Sequence, residues 1–223
     1  GMDADGALYK MYNSLSDPVI KSLPRYDSDN DKKTRLFEDY SDIAELVAGV
    51  DPSLEDRSVY LFDNIDIPGM LTYLAGHILI QDLDHDAHNY YMYRDSEGNG
   101  EWIALPHDRD FCLGVGTTAD DDPGSHPFFG CDDYRWPRWV ELPDNDNQDW
   151  NRLTDAILDT PVLREMFLRR LRTVMDEVLQ PPGTPYADRW FEGELDALYA
   201  QMAPDAALDA AKWGRGSFSS ALS

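Results

Sequence analysis

Apolar residues recur along the chain with two different spacings, and these spacings predict the elements of the fold. Short apolar or alternating runs predict strands at residues 8–12, 90–93 and 102–105. Helical spacing predicts six helices, the first with Ser41 as its N-cap: residues 42–47, 69–81, 151–158, 161–179, 186–202 and 205–213. The pattern indicates an α+β chain whose C-terminal half is mainly helical.

The most apolar of these helices covers residues 69–81. Asp66 is expected to cap it, with Pro68 in its first turn. Its apolar residues are too many for one narrow stripe, so we expect a central, buried helix that delivers the loop at Asp82 to the site. His77 lies on this helix, where a hydrogen-bonded core histidine is the expected role rather than a metal ligand.

Residues 82–114 have the layout loop, strand, turn, strand, loop. The turn, residues 95–100, contains Gly98 and Gly100, which can adopt the positive φ that a tight turn needs. The segment is therefore predicted to be a β-hairpin. A hairpin brings its two ends together.

Four polar residues lie at these two ends and are expected to meet: Asp84 and Asn89 before the first strand, Asp108 and Asp110 after the second. Carboxylate and amide oxygens suit a hard cation such as Mg²⁺. In protein kinases an Asp is followed, after four residues, by an Asn, and a metal-binding Asp comes after a pair of strands. Asp84, Asn89 and Asp108 follow that order and spacing.

A resemblance to a known family lies in the segment LIQDLDHDAHNYYMYRDSEGNGEWIALPHDRDFCLGVG. It resembles the core of the CotH family of atypical, secreted or spore-coat protein kinases. Residues 6–10, 60–63 and 150–153 are also similar to CotH sequences. The family usually has Trp where this chain has His107, and an apolar residue where it has Arg109.

The resemblance implies an atypical protein-kinase-like fold in a single domain, residues 1–223. Residues 1–62 would be a remnant of the N-terminal lobe with a linking helix. Residues 63–223 would form the C-terminal lobe, with a catalytic hairpin at 82–114. The implied reaction is transfer of the γ-phosphate of ATP to a Ser or Thr hydroxyl of a protein substrate.

The resemblance also implies roles for individual residues. Asp84 would orient or deprotonate the acceptor hydroxyl. Asn89 and Asp108 would hold Mg²⁺, or Mn²⁺ or Ca²⁺, on the phosphates of ATP, and Asp110 would bind a second ion or hold the loop. Lys10 would steady the α- and β-phosphates.

Lys10 also has a simpler interpretation, as an exposed lysine on an edge strand. In the kinase interpretation Glu38 and Glu45 are candidate partners for it. Only a few residues precede Lys10, where a kinase has a glycine-rich hairpin. A catalytically inactive pseudokinase that retains the fold is therefore the alternative function.

Net charge narrows the set of partners. The formal charge is −24, from 43 acidic and 19 basic residues. No Lys/Arg stripe is present to bind bare nucleic acid or an anionic membrane, and no apolar run reaches membrane-spanning length. ATP is also an anion, so ATP binding requires a divalent cation.

We expect no secretory signal at the N-terminus, where Gly1-Met2 resembles a tag remnant. The CotH family is often extracytoplasmic, which the resemblance implies for a larger parent protein. Cys112 and Cys131 could form a disulfide or remain thiols. The sequence does not indicate the oligomeric state.

Two other metal sites compete for the acidic segment. An EF-hand beginning at Asp82 would have Ala87 and Tyr93 where Gly and Glu are needed, which leaves only an irregular Ca²⁺ site. A zinc hydrolase could use three histidines as ligands, His85, His88 and His107, with a nearby Asp as its base. A metal-binding interaction module therefore remains an alternative to the kinase.

Overall fold

The fold is that of a computed structural model, which describes most of the chain. The described residues are 5–12, 14–16, 30–80, 82, 89–109, 112 and 151–214. The chain divides into two compact units, Gly1–Leu171 and Arg172–Ser223. The first unit contains the sheet and the predicted hairpin, so the site is described within it.

One four-stranded antiparallel sheet forms the centre of the first unit, in the order β2-β1-β3-β4. Its strands are β1 (Ala7–Lys10), β2 (Asp31–Lys32), β3 (Tyr90–Arg94) and β4 (Trp102–Pro106). In this register Lys10 pairs with Tyr91 on β3. The N-terminal strand is therefore hydrogen-bonded directly to the predicted hairpin, and the sheet carries both groups of candidate residues.

Six α-helices complete the described part of the chain, and the overall class is α+β as predicted. They are α1 (Ser41–Gly49), α2 (Ser58–Asn64), α3 (Ile67–Leu79), α4 (Arg152–Asp159), α5 (Pro161–Val178) and α6 (Trp190–Trp213), with a short 3₁₀ helix at Tyr186–Asp188. None of the helices in these described ranges is both long and apolar enough to cross a membrane.

The helix α3 is the buried helix that the apolar pattern predicts. Asp66 caps it by accepting a hydrogen bond of 3.0 Å from the backbone N–H of Gly69. Its buried residue Met70 lies against β4, where the backbone N–H of Ala104 is 3.2 Å from the Met70 sulfur. Packing on the sheet thus places the C-terminal end of α3 beside the start of the hairpin.

Apolar burial on the α3 side of the sheet holds the strands together. Trp102 and Tyr9 are almost fully buried, and their ring centroids are 5.9 Å apart. The Tyr9 hydroxyl donates a 2.5 Å hydrogen bond to Asp42 at the start of α1. Burial and this carboxylate raise the pKa of Tyr9 well above the ordinary value, so the phenol stays protonated.

Two predicted helix features are wrong. Ser41 is the first residue of α1 rather than its cap, because its side chain hydrogen-bonds Asp39 and the preceding Tyr40 takes the cap position. The two helices expected at 186–202 and 205–213 are one continuous helix, α6, that contains Pro204. A proline inside a helix removes one backbone donor and crowds the preceding turn, which weakens or kinks the helix without having to end it.

Candidate active site

The two ends of the hairpin are joined at its base, as the sequence predicts. The backbone N–H of His107, just after β4, donates a 3.1 Å hydrogen bond to the carbonyl oxygen of Asn89, just before β3. The guanidinium of Arg109 donates a short hydrogen bond to the same carbonyl. Asn89 and Asp108 are therefore brought to the same end of the hairpin, since Asp108 lies between these two donors.

Asp108 has an unusual backbone conformation, with φ at +55°. This left-handed region is unfavourable for a residue with a Cβ, so the surrounding contacts must hold it. The residue is exposed, although Arg109 next to it is largely buried. Its carboxylate therefore faces solvent from a backbone that is fixed on both sides.

Behind this base lies a buried polar cluster, which we name the Asp82 cluster and define as Asp82, Arg109, His77 and Tyr73. The Asp82 carboxylate, which is fully buried, is 2.7 Å from the Arg109 guanidinium and 2.7 Å from Nδ1 of His77. The Tyr73 hydroxyl is 3.4 Å from Arg109, and its ring meets the His77 ring edge-on at 4.1 Å. The prediction that His77 is a hydrogen-bonded core histidine is confirmed.

On the other side of the base, Lys10 is linked to His107 through Tyr91. The rings of Tyr91 and His107 are stacked, with centroids 5.1 Å apart and an interplanar angle of 6°. Nζ of Lys10 lies 5.3 Å from the Tyr91 centroid and 5.5 Å from that of Tyr12. These are cation–π distances, so the two aromatic rings attract the ammonium of Lys10, which lies on the strand beside the hairpin.

Sequence comparison then decides the family. The family described as "CotH kinase protein" has a sequence model that matches residues 1–220 of the 223. The chain belongs to the CotH kinase family. No curated protein is matched by the same chain.

Family membership gives this CotH kinase chain a kinase-like function in general terms. The structure gives it the α+β class and the antiparallel hairpin. The kinase-like fold, and the assignment of residues 1–62 and 63–223 to two lobes, stay predictions. The same holds for ATP, the metal ion and the protein substrate.

Several candidate residues of the CotH kinase site lie outside the described residues. They are Asp84, Asp110, His85, His88 and Cys131. Among the residues that are described, no three His, Cys, Asp or Glu side chains are close enough to hold a metal ion. Asn89 and Asp108 are two oxygen donors at one end of a hairpin, and their chemistry fits a hard cation. The metal-ligand and catalytic assignments stay predictions.

Two expectations about Lys10 are wrong, one concerning its exposure and one concerning its partner. Lys10 is not an exposed edge lysine, because β1 lies between β2 and β3 and the residue is only 7% exposed. Glu38 forms its ion pairs with Lys32 and Arg35 rather than with Lys10. Lys32 is also buried, and its ammonium donates to the backbone carbonyl of Asp39 at 2.8 Å.

The sequence did not lead us to expect that Arg109 and Asp82 interact with each other. Arg109 appeared only as a departure from the family pattern, and Asp82 only as the start of the loop after the buried helix and the first acid of an EF-hand-like run. The available signal was a charged pair that flanks both ends of a predicted hairpin. That signal is weak, since flanking charges are usually solvated.

Proposed function

We propose that this CotH kinase chain transfers the γ-phosphate of ATP to a Ser or Thr hydroxyl of a protein, in a reaction that depends on a divalent cation. The observation that carries the proposal is the closed base of the hairpin, where the His107 N–H binds the Asn89 carbonyl at 3.1 Å. This bond holds Asn89 and Asp108 at the same end of the hairpin. Family membership supports the class of reaction.

In this proposal Asn89 and Asp108 hold the cation. A magnesium ion held by these two residues would offset the negative charge of the phosphates, which the net charge of −24 on the protein makes necessary. Asp84 orients the acceptor hydroxyl and accepts its proton. Asp110 either holds a second ion or supports the loop.

Lys10 supplies the positive charge on the sheet side of the site. Its ammonium lies against the rings of Tyr12 and Tyr91, and the Tyr91 ring in turn stacks on His107. In the proposal this ammonium steadies the α- and β-phosphates. The aromatic contacts limit where the lysine can reach, so they also limit where a nucleotide can bind.

Calorimetric titration of ATP, with and without Mg²⁺ or Mn²⁺, tests the nucleotide site. We expect binding by the wild type only with the cation, and an affinity loss of about tenfold or more for Asp108→Ala, equal to about 1.4 kcal/mol. Asp176→Ala, which removes an exposed carboxylate in α5, is the matched control and should bind like the wild type. Full cation-dependent binding by a folded Asp108→Ala would contradict the proposal.

Transfer of labelled phosphate separates the role of Asp84 from that of Asp108. Asp84→Ala should still bind ATP with the cation, because the role proposed for this carboxylate concerns the acceptor hydroxyl rather than the phosphates. Its rate of transfer to a protein substrate such as casein, or to the chain itself, should fall by about 10² to 10⁴. Undiminished transfer by Asp84→Ala would show that another group accepts the proton.

One observation favours a second candidate, a member of the family that binds without transferring phosphate. Lys10 is 7% exposed and lies against two tyrosine rings, so a phosphate would have to displace part of this packing. Absence of ATP binding by the wild type at every cation concentration would favour this candidate. Cation-dependent transfer would exclude it.

A further inference from the structure

The Asp82 cluster lies next to the proposed cation ligands without supplying any of them. Asp82 is fully buried, and His77 is only 4% exposed. The backbone N–H of Asp82 also donates to the His77 carbonyl at 3.0 Å, at the end of α3. The carboxylate is thus anchored to the central helix through both backbone and side chain.

Arg109 connects this anchor to the hairpin. One terminal nitrogen of its guanidinium is 2.7 Å from Asp82, and the other donates to the carbonyl of Asn89. A guanidinium can do this because its donors form a rigid planar fork. One side chain therefore ties the loop after β4 to the residue before β3, and ties both to α3.

A buried ion pair of this kind needs a reason other than stability. Removing two charges from water costs about as much as their attraction returns, so apolar residues of similar volume would hold the fold at least as well. What an ion pair with fixed hydrogen bonds does supply is a specific geometry. Here the geometry concerns the backbone on both sides of Asp108.

We propose that Arg109 and Asp82 are positioning residues of this site, which set the backbone at Asp108 and Asn89 so that the two oxygen donors remain together. His77 orients the Asp82 carboxylate from α3. The positive φ of Asp108 supports this assignment, because such a conformation persists only where the surroundings over-determine it. The cation-holding part of the proposal rests on the proposed function, whereas the backbone-positioning part does not.

Hydrogen exchange tests the backbone part without any activity. The His107 amide donates to the Asn89 carbonyl, so its exchange rate reports whether the base of the hairpin is closed. In Arg109→Met we expect exchange at His107 to accelerate about tenfold to a hundredfold, as expected for loss of a hydrogen bond to a charged group. The amides of Gly98 and Gly100, in the turn at the other end, should exchange as in the wild type.

Three further variants separate positioning from general destabilisation. Arg109→Lys keeps the charge but lacks the fork, so it should resemble Arg109→Met at His107. Asp82→Asn keeps the shape of Asp82 and should also accelerate exchange there. Arg57→Met is the matched control, since it breaks the Arg57–Asp159 ion pair of 2.9 Å elsewhere in the same unit. It should leave His107 unchanged.

Calorimetry then tests the cation part. At fixed ATP, the Mn²⁺ concentration at half-saturation should rise about tenfold in Arg109→Met and Arg109→Lys, and excess Mn²⁺ should restore binding. The double variant Asp82→Asn/Arg109→Met should raise this Mn²⁺ concentration by less than the two single effects combined, because both substitutions remove the same contact.

The outcomes distinguish the two proposals. If the wild type binds no ATP but Arg109→Met accelerates exchange at His107 alone, the proposed function fails and the backbone positioning stands. Unchanged exchange at His107 in folded Arg109→Met overturns the positioning assignment. In a wild type that binds ATP, an unchanged Mn²⁺ requirement in that variant also overturns it.

Discussion

The two ends of the hairpin each have an arginine ion pair, and the carboxylates of the two pairs have opposite surroundings. At the turn, Arg35 is 2.9 Å from Glu97, whose side chain is 65% exposed. At the base, Arg109 is 2.7 Å from Asp82, whose side chain is fully buried. The two arginine side chains are equally exposed, at 15%, so the pairs differ in the carboxylate, which lies in solvent at the turn and inside the protein at the base.

The difference shows what each pair can do. An exposed pair is weakened by solvent and contributes little to stability or geometry. A buried pair cannot lose one member without leaving a charge in a medium that solvates it poorly. The turn is consequently held by its own backbone, with the N–H groups of Gly98 and Gly100 both bonded to the Asp95 carbonyl at 3.0 Å. The base depends on side chains from elsewhere.

The largest expected effect is that of Asp82→Ala at the base. It leaves the Arg109 guanidinium largely buried without this carboxylate, so the free energy of unfolding should fall by about 3–5 kcal/mol. Urea unfolding followed by tryptophan fluorescence measures the change. Asp159→Ala, which removes the half-exposed partner of Arg57, should cost no more than about 1 kcal/mol. Equal losses in the two variants would remove the contrast between buried and exposed pairs.

A smaller effect is expected from Gly100→Ala at the turn. Gly100 has φ at +79° and no atom lies within 4 Å of an added Cβ, so only backbone strain opposes the change. The strain should cost about 1–2 kcal/mol. Gly76→Ala adds the same methyl group into open space inside α3. There it should stabilise the protein by about 0.5–1 kcal/mol. Thermal unfolding measures both variants, and a lower melting temperature for Gly100→Ala with a higher one for Gly76→Ala would sharpen the comparison.

Glu97→Ala should change the free energy of unfolding by about 0–1 kcal/mol, since the Arg35–Glu97 pair is exposed. In 1 M NaCl the screening length is about 3 Å, and even this small cost should vanish. The cost of Asp82→Ala should persist at the same salt concentration. A salt-independent loss in Glu97→Ala would mean that the turn depends on its ion pair as the base does.

The smallest effect concerns pH. Arg35 also hydrogen-bonds Glu38 at 2.7 Å, and this bond holds the pKa of Glu38 below its ordinary value of 4.5. A lowered pKa in the folded state favours the ionised form, so its contribution is present above pH 4.5 and is lost as pH falls through the folded pKa. Glu38→Gln should therefore differ slightly from the wild type at pH 6 and converge with it as the pH falls below the folded pKa of Glu38. A difference that stays constant with pH would contradict this origin.

Local signals in the sequence identify much of the fold. The turn lies where Gly98 and Gly100 predict it, although only Gly100 has a positive φ, and Asp66 with Pro68 marks the start of α3. Each of these features is decided within a few residues. The errors are local as well: Ser41 bonds to Asp39 instead of capping α1, and Pro204 lies inside α6. In both cases the residue type is compatible with more than one local structure.

The site was predictable only in part. The spacing of Asn89 and Asp108 around two strands was enough to expect them at one end of a hairpin, and the structure confirms that they are there. Burial of Lys10 was not predictable, because it follows from β2 covering the outer edge of β1. Two consecutive residues make up β2, too few to give a period.

The sequence by itself therefore determined the α+β class, the hairpin and its turn, the buried helix α3 and membership in the CotH kinase family. Only the tertiary structure decided that Arg109 binds Asp82, 27 residues away, and reaches the carbonyl of Asn89. The physical reason is that turns, caps and periodicity act between near neighbours, whose spacing can be seen in a sequence. Whether a charge is solvated or buried depends on which elements pack around it, and that is known only once α3 lies against the sheet.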